Sequence, residues 1–307
     1  MKCLVTGATG FIGRELCQQL AAAGHEIVPY SCSGQALDDG TATIPIDLRT
    51  DSPDESDMAC ADVVFHLAGI AHQQAPAIDY EKVNHQAVVR LARQARIAGV
   101  KAFIFLSSVK AMGTAPGPAA RAEGDGVLPL DDYGLSKWLA ESALSREFRG
   151  GDMSVCIIRP TLVYGPHVKG NLQRLARGIN RGLPRPPEIG GRSMIAVGDL
   201  CRLMLTLAEQ RKAGVSTYIA SDGEVYSLRR MYDAIRRARG RGRGLAWCPR
   251  WLWALACSLQ DRRNREAQSA WSKLFGSELY SNDSVLRSTS WRPVLRLEEY
   301  LSRGEEP

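Results

Sequence analysis

The apolar positions of this chain change rhythm along its length. Within residues 11–23, Ile12, Leu16 and Leu20 recur every fourth position, so they share one face of a helix that Gly24 stops. Short apolar runs at 2–5, 25–30 and 43–46 read as strands around it. Residues 62–68 (DVVFHLA) and 101–107 (KAFIFLS) are nearly continuous in apolar character, the pattern of strands covered on both faces. Helices are expected over 80–98, closed by Gly99, and over 132–148, with a further strand at 154–159 (SVCIIR). Strands that alternate with helices predict an α/β fold, a doubly wound parallel sheet of Rossmann type.

The regularity weakens after Tyr164. Pro184, Pro186 and Pro187 interrupt the chain, and helices are expected at 199–210 and 227–239. The chain therefore divides into a sheet domain, 1–165, and a smaller α/β domain, 166–307, some of whose segments return to the first. The smaller domain is expected at the sheet's C-terminal edge, where ligands of such sheets bind. The 307 residues, 45% of them hydrophobic, suffice for one large core or two moderate ones.

Charge and cysteine usage narrow the partners. A net charge of +6 suits a small anionic ligand and is too weak to argue for nucleic acid. The basic run at 239–244 (RGRGRG) reads as a solvated loop, with a phosphate-contacting loop as the alternative. The eight cysteines include no Cys-x-x-Cys pair, which points to a reducing, cytoplasmic compartment and no structural metal. No signal peptide is expected ahead of the first strand. Residues 251–259 (WLWALACSL) fall far short of the roughly 20 apolar residues of a membrane span. They read as a buried or half-buried helix, with an interfacial or partner contact as the alternative.

Gly7, Gly10 and Gly13 stand between the first strand and its helix, which Phe11 and Ile12 open. Glycine lets backbone approach a pyrophosphate, and the helix N-terminus supplies free N–H groups and partial positive charge. An acid ending the second strand would bond the adenosine ribose hydroxyls of NAD. Here that place holds Tyr30-Ser31-Cys32-Ser33. With Ser31 to accept a 2′-phosphate and Arg14 to supply charge, NADP is expected ahead of NAD. Asp47, followed by Leu48, stands after the third strand as an adenine contact or a turn former.

Tyr133 and Lys137 stand four residues apart and share a helical face. The cation is expected to lower the phenol's pKa toward a usable range. Ser107 and Ser108 end the fifth strand, where a hydroxyl would bond a substrate oxygen.

These features in this order resemble the extended short-chain dehydrogenase/reductases, most of all the NAD-dependent epimerase/dehydratase family of nucleotide-sugar enzymes. The similarity runs through TGATGFIG at 6–13, HLAG at 66–69, FLSS at 105–108, YGLSK at 133–137, RPTLVYGP at 159–166, GNL at 170–172, GGRSMIAVGDL at 190–200 and WRP at 291–293. It implies that Tyr133 is the general acid/base, that Ser108 bonds the same sugar oxygen and that Lys137 holds the nicotinamide ribose. It further implies that Leu67, Ala68 and Gly69 line the cofactor and that Asn84 supports the site. Asn171 and Leu172 would touch the uridine end, and Arg192 the diphosphate. Homodimerisation through the helices at 80–98 and 132–148 is also implied.

One departure narrows the reaction. Dehydratases of this family carry an adjacent Asp-Glu pair after the strand-end Ser or Thr, whereas this chain has Val109-Lys110. The SSVK stretch resembles the SSIK of a subgroup tied to O-antigen and polysaccharide sugars. Lys110 is either a substrate contact or a surface lysine, and His72 a candidate substrate contact. The expected activity is reduction of the 4-keto group of a UDP-linked, N-acetylated hexose by NADPH. The alternatives are a UDP-hexose 4-epimerase that retains NAD and a non-catalytic NAD(P)-sensing protein.

Overall fold

The computed structural model describes residues 1–71, 75–114, 117, 119–166, 171–242, 244, 248–264 and 269–303. Its strands are β1 (Lys2–Thr6), β2 (Glu26–Ser31), β3 (Ile44–Pro45), β4 (Val63–His66), β5 (Ala102–Leu106) and β6 (Ser154–Pro160). They continue with β7 (Leu162–Tyr164), β8 (Gly191–Ala196), β9 (Gly214–Ala220), β10 (Val225–Tyr226) and β11 (Ser277–Glu278). Seven of them form one parallel sheet in the order β3-β2-β1-β4-β5-β6-β9. The order reverses at β1, so the crevice beyond the C-terminal ends of β1 and β4 is the switch point where ligands of such sheets bind.

Alternation along the strands feeds two cores. Val5, Phe65, Ile104 and Ile158 pack with Leu16 and Leu20 of the helix Phe11–Ala22 and with Leu203 and Met204 of the helix Val197–Gln210. Their neighbours Leu4, Val64, Phe103 and Ile157 pack on the other face with Val88 and Leu91 of Ala87–Ile97 and with Leu144 of Asp132–Phe148. Both faces are buried, as near-continuous apolar strands require.

The expected helix over 80–98 starts at Ala77 and contains a π-helical stretch, Glu81–Gln86, before the regular Ala87–Ile97. The third strand is shorter than expected, Ile44–Pro45, although Ile46 N still donates to Ser31 O at 2.9 Å. Pro45, which has no N–H, stands on the edge strand, where no ladder bond is lost. Edge strand β9 was not legible from the pattern, because Ser216 and Thr217 interrupt its apolar run.

The second sheet centres on β8, which pairs with β7, β10 and β11. Its core gathers Tyr164, Leu172, Met194, Tyr226, Tyr232 and Phe275. Buried Asp199 ties the late segment to it by accepting from Val294 N at 2.8 Å and Leu295 N at 2.9 Å. Its carbonyl takes the Trp291 indole N–H at 3.0 Å, so the WRP stretch is a structural clasp. Residues 251–259 lie in the helix Arg250–Asn264, where Trp253 and Cys257 are buried while Trp251, Leu255 and Leu259 face outward. Among the described residues no helix is long and apolar enough to cross a membrane.

His66 joins β4 to β1 through a 2.7 Å contact between its Nδ1 and the Thr6 hydroxyl. It is fully buried and stacks between Phe103 and Phe105. Burial, with the Lys137 charge as a lesser cause, lowers its pKa to about 3. The unfolded chain therefore takes up a proton from about pH 6.5 downward that the folded chain refuses until about 3. Between those values stability should fall as pH falls, by up to about 1.4 kcal/mol per pH unit from this group. Denaturant unfolding across this window should show a flatter pH slope for His66→Asn. An unchanged slope would remove His66 from the acid response.

Candidate active site

Gly7 adopts φ +76, and a Cβ there would lie 2.7 Å from Ala68 N and 3.0 Å from Leu67 C. A Cβ on Gly13 would meet Gly7 O at 2.1 Å. Only glycine permits either approach, and the two draw the loop tight at the mouth of the helix Phe11–Ala22. That helix has no side-chain cap and no acid in its first turn, so its N–H groups remain open to an anion. Phe11 and Ile12 anchor its first turn on the core, Phe11 against Gly165. The cradle and the open helix end fit the diphosphate of a dinucleotide.

Leu67, Ala68 and Gly69 run along the same crevice, and a Cβ on Gly69 would meet Lys137 Nζ at 3.2 Å and Asn84 Oδ1 at 3.0 Å. Asn84 lies in the π stretch, where its amide accepts from Ile70 N at 2.8 Å and donates to Ile70 O at 2.9 Å. A further 3.2 Å contact reaches the Ser136 hydroxyl. The Asn84 amide thus fastens the 66–70 loop to the helix that bears Tyr133 and Lys137.

That helix, Asp132–Phe148, starts where the Asp131 carboxylate accepts from Gly134 N at 2.8 Å. A Cβ on Gly134 would meet Lys110 O at 2.7 Å, so the glycine after Tyr133 lets the helix press against the residues following Ser108. Ser108 stands beside Tyr133, where its hydroxyl favours the phenolate, and Ser108 Oγ accepts from Lys110 N at 3.1 Å. Buried Lys137 donates to Leu106 O at 2.9 Å, with its ammonium 4.8 Å from the centre of the Phe105 ring. Tyr133, Ser108, Lys137, Gly69 and the glycine loop are therefore brought to one crevice.

The expected depression of the phenol is not what the fold produces. Burial raises the Tyr133 pKa above its usual value, and the neighbouring Ser108 hydroxyl offsets only part. Lys137 is spent on the Leu106 carbonyl, and its own burial lowers its pKa to about 8, against the charge of Glu141.

Other expected site residues are corrected. Ser107 is buried and donates its hydroxyl to Glu141 Oε1 at 2.5 Å, so it supports the site from behind and offers no hydroxyl to a substrate. Glu141 in turn binds the Arg159 guanidinium, with contacts of 2.6 to 3.1 Å. Ser31 is buried, with its hydroxyl closed on Thr43 Oγ1 at 2.7 Å and accepting from Gly34 N at 3.0 Å. It builds the following loop and leaves nothing for a 2′-phosphate. Arg14 is not a free cation either, since it binds Asp38 Oδ1 at 2.5 Å and Thr9 O at 3.1 Å. The two residues behind the NADP expectation are thus both engaged within the protein.

Asp47 forms a turn, with its carboxylate held by Arg49 at 2.7 to 3.1 Å and its pKa lowered to about 2 by that partner. Leu48 packs into the core. Leu172 is likewise buried, in the core of the smaller sheet. The Asn171 side chain and His72 lie outside the described residues. Lys110 and Arg192 converge on one carboxylate, Glu278, at 3.4 and 3.7 Å. The Arg192 guanidinium also donates to Lys273 O. The basic run at 239–244 is partly tied down, since Arg239 reaches Ala176 O and Asn180 Oδ1 at 3.2 and 2.9 Å.

Sequence reasoning missed Glu141, Arg159, Glu278, Asp131 and Asp38. For Glu141 a signal existed, because it follows Lys137 by four residues on the same helical face. Glu278 and Asp38 reach the site from loops and strands whose placement no local pattern encodes.

Residues 3–226 match the model of the NAD dependent epimerase/dehydratase family. A UDP-glucose 4-epimerase of Vibrio cholerae is 33% identical, over 96% of this chain and 92% of that protein. A 2-alkyl-3-oxoalkanoate reductase of Stenotrophomonas maltophilia is 26% identical, over 79% of this chain and 77% of that protein. The structure of MoeE5 in complex with UDP-glucuronic acid and NAD superposes with a TM-score of 0.76 at 25% identity, covering 98% of this chain and 97% of that one.

Ser107→Ala should leave dinucleotide affinity unchanged and lower the unfolding free energy by about 1–3 kcal/mol, because the buried Glu141 loses a donor. Calorimetric binding beside denaturant unfolding tests this. A variant as stable as its parent would show that Ser107 does not hold the network.

Proposed function

The chain belongs to the NAD dependent epimerase/dehydratase family, and from that premise we propose that it is a UDP-sugar 4-epimerase that keeps NAD bound. The observation that carries this reading is the meeting of Tyr133, Ser108 and Lys137 at the crevice beside the glycine loop. When bound, NAD supplies a hydride acceptor and donor. The residues then divide the remaining work. Tyr133 takes the proton of the sugar C4 hydroxyl as that carbon loses hydride, and returns it when hydride comes back to the other face. Ser108 bonds the same oxygen and stabilises its changing charge. Lys137, whose ammonium has donors beyond the one given to Leu106 O, fixes the nicotinamide ribose.

The substrate side of this reading is the smaller sheet. Arg192 on β8 and Lys110 beside Ser108 take the diphosphate. The engagement of Ser31 and Arg14 within the protein removes the argument for NADP and with it the tilt toward reduction. The V. cholerae relative supports epimerisation. Net reduction of a 4-keto UDP-sugar is the second reading, favoured by the reductase relative from S. maltophilia.

Acid release from the purified protein should yield about one NAD per chain, and UDP-glucose and UDP-galactose, or their N-acetylated counterparts, should interconvert without net change in nicotinamide absorbance. Tyr133→Phe should lower turnover by about 10²–10⁴-fold with NAD content retained. Steady consumption of added NADPH or NADH by 4-keto UDP-sugars, with no interconversion, would establish the reductase instead.

A further inference from the structure

We propose that Asp38 reads the adenosine ribose of the cofactor and selects NAD over NADP, an inference that rests on the reading of the glycine loop as a dinucleotide cradle. In a sheet of this order the adenosine ribose lies beyond the end of β2, where a carboxylate accepts hydrogen bonds from its two hydroxyls. The residue at that end, Ser31, is closed within the protein. The chain supplies an acid there by another route.

The segment from 32 to 43 leaves β2 and folds back on itself. Leu37 N donates to Thr41 O at 2.9 Å, and Gly40 N to Leu37 O at 3.0 Å. The Leu37 side chain is buried in the large core, which fixes the height of the turn above the sheet. Asp38 follows directly, with its side chain 80% exposed and its Oδ1 2.5 Å from Arg14 NH1. Arg14 lies in the first turn of the helix Phe11–Ala22, and its Nε donates to Thr9 O of the glycine loop at 3.1 Å. One guanidinium width therefore separates the Asp38 carboxylate from the loop that cradles the diphosphate. The carboxylate lies in the segment that follows β2, beside the first turn of that helix and open to solvent.

The charges set the preference. Ribose hydroxyls donate to a carboxylate, and hydrogen bonds to an ionised acceptor are the strong kind. A 2′-phosphate brings negative charge against that same carboxylate. Arg14 does not cancel this, because its NH1 is shared with Asp38 and a 2′-phosphate drawn to the same guanidinium would stand beside that carboxylate. Removing the Asp38 charge reverses the arrangement, leaving Arg14 as an open forked cation at the position of the 2′-phosphate. The arginine that reads in the sequence as an NADP signal is, in the folded chain, held in check by its partner.

The test is equilibrium binding of NADH and of NADPH, followed by nicotinamide fluorescence, to nucleotide-stripped protein. Wild type, Asp38→Ser, Asp38→Glu and the double variant Asp38→Ser/Arg14→Ala are compared, each checked for an unchanged melting temperature. Wild type should bind NADH at least about tenfold more tightly than NADPH. Asp38→Ser should move the ratio of the two dissociation constants toward NADPH by about 10–100-fold, the range of one charge-assisted contact. Asp38→Glu should retain the NADH preference, and the double variant should lose the NADPH gain. A ratio in Asp38→Ser within threefold of wild type, with NADH binding intact, overturns the role of Asp38 alone. Wild-type protein that binds neither dinucleotide overturns both this inference and the function proposed above.

Discussion

A buried ammonium constrains the site more than any other group. Lys137 sits at the C-terminal end of the central strands with almost no exposure, and taking a lysine charge out of water is costly unless partners surround it. The fold supplies the Leu106 carbonyl, the face of Phe105 and the carboxylate of Glu141 one helical turn away. Those partners organise the remainder. The Leu106 carbonyl fixes where β5 must end and hence where Ser108 begins. Glu141 needs its own satisfaction and draws in Ser107 and Arg159. At Gly69 an added Cβ would press on the ammonium at 3.2 Å and on Asn84 Oδ1 at 3.0 Å, so a side chain there would have to displace one of them.

A second theme is that cations facing the crevice are already occupied by acids. Arg14 is held by Asp38, and Lys110 and Arg192 by Glu278. A free cluster of like charges would repel itself and disorder the side chains that carry it. Paired with exposed or half-exposed carboxylates, the cations keep defined positions at small energetic gain, since such pairs contribute only about 0–1 kcal/mol. At Lys110 and Arg192 weak pairing suits a binding surface, because an incoming diphosphate can displace Glu278 with little loss.

The large sheet was legible because its strands are buried on both faces and its helices carry clear periodicity. The helix over 132–148 appears with the expected bounds. Tyr133, Lys137 and Ser108 could be brought together on paper because strand ends and helix starts of such a sheet share one edge. What sequence could not resolve was which polar side chains were already spoken for. Ser31 and Ser107 look like ligand contacts by type and place, yet each hydroxyl is closed by a partner that folding brings from 12 or 34 residues away. Phenol ionisation was misjudged for a similar reason. A four-residue spacing shows that the ammonium is near but not that it points to a carbonyl. In the smaller sheet, two-residue strands such as β10 and β11 carry too little pattern to read.

The π-helical stretch at Glu81–Gln86 has a consequence for the geometry of everything after it. Each π turn accommodates an additional residue without lengthening the helix by a full turn, so the side chains beyond it are rotated in phase by roughly one residue, about 100°. Tyr80, before the stretch, meets the Tyr133 ring at 6.3 Å, whereas Val88 and Leu91 after it face the core. One continuous helix can thereby address two surfaces that a uniform winding could not serve in so short a distance. Asn84 stands at the point where the phase slips, free to turn its amide out of the helix and onto the loop that lines the crevice.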